Sequence, residues 1–89
     1  FLPSSSKQSK RCRLIIYCAG EDVKKIHDYL SSKVEGMFDF TSKKLAENPT
    51  KSKISSTFEI SHKKVMKELY DKLNILADLD SITLQELND

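Results

Sequence analysis

Arg11-Cys12-Arg13-Leu14-Ile15-Ile16-Tyr17-Cys18-Ala19-Gly20-Glu21-Asp22-Val23 is the stretch on which the fold turns. Residues 11–19 alternate, with Cys12, Leu14, Ile16 and Cys18 on one side and Arg13, Ile15 and Tyr17 on the other. That is the period of a β-strand. Its middle is apolar on both sides, which predicts a central strand. Gly20-Glu21-Asp22 then breaks the alternation, and Asp22 is suited to cap a helix. Val23, Ile26, Leu30 and Val34 recur on one helical stripe, and Gly36 is expected to terminate the helix near residue 35.

Downstream, residues 37–44 predict a second strand with Phe38 and Phe40 inward and Met37, Asp39 and Thr41 outward. The Asn48-Pro49 turn signal sits in a connection of about nine residues. Residues 54–60 predict a third strand, inward at Ile54, Ser56, Phe58 and Ile60. A second helix buries Val65, Leu69, Leu73 and Leu76, widened by Met66 and Ile75. Asp80-Ser81 is expected to turn the chain into a short last strand at Ile82 and Leu84. The order β-α-β-β-α-β across residues 11–87 predicts an α+β, ferredoxin-like sandwich. In it a four-stranded antiparallel sheet of order 4-1-3-2 carries both helices on one face.

The chain has 89 residues, 38 % hydrophobic and 31 % charged, enough for one domain and too few for two. No run approaches the roughly 18 apolar residues of a bilayer span. The net charge of +2 is unevenly placed. Lys7, Lys10, Arg11 and Arg13 stand in an acid-free start, so the remainder is slightly acidic. Residues 1–10, rich in Ser and Lys, are read as a flexible basic linker. Such a linker after Phe1-Leu2-Pro3 suits the cytoplasmic end of a membrane segment as well as a joint between soluble domains. Cys12 and Cys18 lie about 20 Å apart along one strand, too far for a disulfide, and are read as free thiols.

Chemistry-bearing residues are few. His27 and His62 have no nucleophile or acid at a spacing that builds a catalytic series, so no catalytic residue and no enzyme is expected. Gly20, Glu21 and Asp22 form a turn where helix N–H groups could meet a small ligand, and are the candidate ligand-binding residues. Two adjacent acids without a third are not expected to hold Mg²⁺, so neither a metal site nor a cofactor is expected. The outward sheet face is expected to carry Ile15, Tyr17, Met37, Asp39, Thr57, Glu59 and Thr83. Lacking stacked aromatics on its third strand and carrying Glu59, it is not expected to bind nucleic acid. Ile15 and Tyr17 are instead read as an interface for a second copy or for another domain of a parent chain.

The strand Arg13-Leu14-Ile15-Ile16-Tyr17-Cys18, the turn Gly20-Glu21-Asp22, the helix with Leu69 and Leu73, and the ending Leu79-Asp80-Ser81-Ile82-Thr83-Leu84 together resemble the ACT-type small regulatory domain. More narrowly they resemble the soluble C-terminal domain of the MgtC/SapB family of bacterial inner-membrane proteins, linked to magnesium homeostasis. That resemblance implies a cytoplasmic regulatory or assembly domain at the bacterial inner membrane, joined to it only through a region preceding this chain. Against the amino-acid-binding members, only Gly20 and Asp22 correspond in the turn after the first strand. The alternative is a small-ligand-sensing module attached to a soluble enzyme or regulator.

Overall fold

The computed structural model describes residues 10–34, 36–61 and 63–87. Four strands and two helices follow the expected order: β1 Lys10–Ala19, α1 Val23–Lys33, β2 Gly36–Lys44, β3 Lys51–Ile60, α2 Lys63–Leu76 and β4 Leu79–Glu86. The sheet is antiparallel throughout, in the order β2-β3-β1-β4. This is the ferredoxin-like α+β arrangement read from the alternation of β1. That strand is hydrogen-bonded on both edges, from Lys10 opposite Ile60 on β3 and from Cys12 opposite Glu86 on β4.

One row of each central strand makes the core. Cys12, Leu14, Ile16 and Cys18 of β1 and Ile54, Phe58 and Ile60 of β3 are buried against Ile26 and Leu30 of α1 and Leu69 and Leu73 of α2. Each large side chain so buried contributes roughly 1.5–3 kcal/mol. Burial also raises the thiol pKa of Cys12 and Cys18, with Glu86 adding to the first and Asp22 to the second. Both cysteines are free.

Several local expectations are corrected. Helix α1 ends at Lys33, not near residue 35, because Val34 turns extended (φ −90°, ψ 156°) while its N–H still donates to Leu30 O. Gly36 therefore opens β2 instead of terminating the helix. Asp22 occupies the N-cap position but its carboxylate makes no cap hydrogen bond; it faces Lys25 at 3.7 Å. The connection between β2 and β3 is residues 45–50, since β3 begins at Lys51. Leu45 N–H donates to Lys51 O and Lys51 N–H to Asn48 O, which closes the turn early. Asp80 and Ser81 lie inside β4 rather than in a turn, at a register shift opposite Tyr17 and Cys18. Ile75, expected in the buried stripe of α2, is 80 % exposed.

The largest correction is in β2. Met37 pairs with Phe58 and Asp39 with Thr57, so Phe38 is the extra residue of a β-bulge. Parity shifts by one at that point. Met37, expected outward, packs on the core, whereas Phe38, expected inward, is 54 % exposed on the open face. The bulge is pinned from β3: Ser56 Oγ donates to Asp39 O at 2.7 Å and Thr57 N–H donates to Asp39 Oδ1 at 3.0 Å. The first bond also explains how a serine can be buried in the core row.

Two outcomes follow from this packing. In urea titrations Ser56→Ala and Asp39→Ala should each lose about 1 kcal/mol, and Phe38→Ala should lose less than Phe40→Ala, the inward aromatic of the same strand. Thiol reagents should modify Cys12 and Cys18 slowly in the native protein and completely after unfolding. The raised thiol pKa values mean that the folded state keeps its protons where the unfolded chain gives them up. Stability should therefore decline as pH climbs through the ordinary thiol range near 8.5.

Candidate functional site

Both helices pack on one face of the sheet, which leaves the odd-numbered residues of β1 and β3 on the other. Across it the register sets Arg11 opposite Glu59, Arg13 opposite Thr57, Ile15 opposite Ser55 and Tyr17 opposite Lys53. Strand β4 adds Gln85, Thr83 and Ser81 beside Arg13, Ile15 and Tyr17. Strand β2 adds Thr41 opposite Ser55 and Lys43 opposite Lys53, and its bulge adds Phe38. The face is thus a long strip with the half-buried Ile15 and Tyr17 on its central strand.

Each aromatic ring on this strip has a cation against it. The Arg11 guanidinium lies 4.7 Å from the Phe38 ring centroid, and Lys53 Nζ lies 5.9 Å from that of Tyr17. Such contacts are worth about 0.5–1 kcal/mol at exposed sites. Lys51, next along β3, is held by Asp80 at 3.1 Å. Sequence reasoning placed Ile15 and Tyr17 here with Asp39, Thr57, Glu59 and Thr83, and the register agrees. It missed Phe38, and it missed the cations as a group because they come from three separate strands.

The turn at Gly20–Asp22 is a different kind of place. It forms a single turn of 3-10 helix running straight into α1. Gly20 N–H donates to Thr50 O at 2.9 Å, Gly20 has no positive φ, and a Cβ there would meet Ser52 Oγ at an ordinary 3.4 Å. Glycine is therefore not required for the backbone. Glu21 is exposed, while Asp22 leans on Lys25. Among the described residues, no three of His, Cys, Asp and Glu come together as a cation site would need. His27 stacks edge-on against Phe40 with centroids 4.7 Å apart; His62 lies outside the described residues.

A second depression, of about 440 Å³, lies between the helices and is lined by Tyr29, Lys33, Glu68, Asp71, Lys72 and Ile75. Desolvation, helped by Glu68, raises the Tyr29 pKa. Its acids and lysines alternate, and Lys67 already takes Asp71 at 3.6 Å, so this surface has no charge of one sign to offer.

Neither a protein-family model nor a curated protein matches the sequence. Solved structures do resemble the fold. The C-terminal domain of the MgtC protein from Mycobacterium tuberculosis superposes with a TM-score of 0.72 over 88 % of this chain and 87 % of that one, at 5 % identity. The uncharacterized protein TM1266 from Thermotoga maritima gives 0.69 over 91 % of this chain and 100 % of that one, at 13 % identity. A Chloroflexus aurantiacus protein described as a "putative Antibiotic biosynthesis monooxygenase" gives 0.50 over 89 % and 94 %, at 12 % identity. The architecture is therefore that of the MgtC C-terminal domain. The third likeness corrects the expectation that the chain is no enzyme. The same frame is found in a protein described as a monooxygenase, so a small domain of this shape without a nucleophile–base series cannot be set down as a non-enzyme on that ground.

Because Gly20 is neither strained nor crowded, Gly20→Ala should fold normally and change stability by less than about 1 kcal/mol in thermal unfolding. A larger loss would mean that the turn needs a backbone approach that these contacts do not contain.

Proposed function

We propose that this chain is a regulatory or assembly domain of a magnesium-related bacterial membrane protein, carried at the cytoplasmic face of the inner membrane and acting through the open face of its sheet. The observation that carries this reading is the correspondence with the MgtC C-terminal domain over nearly the whole chain. The face supports it in a second way. Ile15 and Tyr17 stand outward on a central strand, where a solvated sheet ordinarily carries Thr, Lys or Glu, and a contact surface gives them something to bury against. Occupants that would satisfy the face include a second copy, another domain of the same polypeptide and the membrane surface.

The rival reading is a ligand sensor built on the turn at Gly20–Asp22. It would need free backbone donors there, and Gly20 N–H is already bonded to Thr50 O. Immunoblotting of fractionated cells with an antibody against residues 10–87 tests the membrane reading. The antigen should be found in the inner-membrane fraction, on a polypeptide that also carries apolar spans of about 20 residues. Recovery in the soluble fraction would overturn it.

A further inference from the structure

Resting on that membrane reading, we propose that the open sheet face docks on the anionic headgroups of a phospholipid bilayer. Arg11, Arg13, Lys43 and Lys53 would meet phosphate, and Phe38, Tyr17 and Ile15 would settle at headgroup depth. The starting observation is a conflict left standing in the sheet. Lys43 and Lys53 face each other directly across β2 and β3, and like charges in that position destabilise a sheet.

No ion pair among the described residues relieves it, and the contact Lys53 does have is with the Tyr17 ring, 5.9 Å from its Nζ. Among the described residues none of Arg13, Lys43 and Lys53 takes part in an ion pair, while the neighbouring Lys51 does. Of the acids on this face, Asp39 accepts the Thr57 N–H and Glu59 stands opposite Arg11 in the register, and neither forms an ion pair with these three cations. A layer of fixed negative charge laid over the face would turn the repulsion into attraction.

The same features choose among anionic and apolar occupants. A second copy related by a two-fold axis would bring this excess of cations against itself. A single strand of nucleic acid would gain mainly by stacking its bases on aromatic faces. Here the Phe38 ring already has a guanidinium 4.7 Å from its centroid and the Tyr17 ring an ammonium at 5.9 Å. A bilayer surface needs no free ring face. It takes aromatic bodies at the interface and the tips of long cations at the phosphates, and this face carries both kinds of side chain.

The test uses the 89-residue chain with vesicles of phosphatidylcholine, alone or with roughly one-third phosphatidylglycerol, followed by co-sedimentation. Binding to the anionic vesicles should be at least about tenfold tighter and should weaken with added salt, since each cation at the surface contributes about fivefold. Arg13→Glu combined with Lys53→Glu should reduce it by more than about tenfold, with the circular dichroism spectrum unchanged. Lys24→Glu combined with Lys33→Glu, on α1, should leave it in place.

Four results would each overturn the docking: no preference for anionic vesicles, binding retained by the Arg13/Lys53 variant, a dimer in sedimentation equilibrium that Tyr17→Lys dissociates, or an oligothymidylate complex lost on Tyr17→Ala. The vesicle experiment uses the chain alone, and cell fractionation follows the whole polypeptide. Either can therefore fail without the other.

Discussion

In a sheet covered on one face only, a central strand hides just one of its two rows of side chains from water, and this molecule is organised around that constraint on β1. Cys12, Leu14, Ile16 and Cys18 take the hidden row, with no exposure at any of the four. Both helices must then lie on that side to cover them, and the second row must face away. The crossover through α1 leaves a gap beside β1 that β3 fills, and α2 brings β4 to the remaining edge. The position of every other element follows from which row of β1 went inside.

This explains why so much of the fold was legible. Alternation over residues 11–19 gives strand and parity, an apolar middle on both sides gives central placement, and the buried stripes of α1 and α2 supply the cover. The illegible part has a common physical cause in features that interrupt a period. A bulge adds one residue to one strand, so reading residues 37–44 at period two exchanges Met37 and Phe38 while keeping Phe40 right. The irregularity at Asp80 has the same effect on β4, where a polar pair inside a strand looks like a turn. Ile75 failed for another reason: it lies at the edge of its stripe, beyond the reach of the sheet.

The candidate site shows the difference between composition and placement. Beyond its first residues the chain is slightly acidic, which suggests a surface of no particular sign. The sheet sorts those charges by parity. It collects Arg11 and Arg13 from β1, Lys43 from β2 and Lys53 from β3 onto one side, while many of the acids fall on helices and loops. Parity across hydrogen-bonded strands is a property of the register, and register is available only when the strands have been paired. Ile15 and Tyr17 could be placed from one strand alone. The cations around them could not.

The two neighbours of β1 come from very different distances along the chain. Its partner β3 lies some forty residues on, and β4 closes the other edge only with residues 79–86, where Leu87 N–H finally donates to Arg11 O. The first of the four strands to be synthesised is thus completed last. Until β3 has been made, Leu14, Ile15, Ile16 and Tyr17 form a bare apolar ribbon with both edges unpaired, and one edge stays open to other nascent chains until β4 follows. The body of the domain can become native only after its C-terminal strand has emerged. Closure between strands so far apart in sequence is a slow event beside the local coiling of α1 or α2.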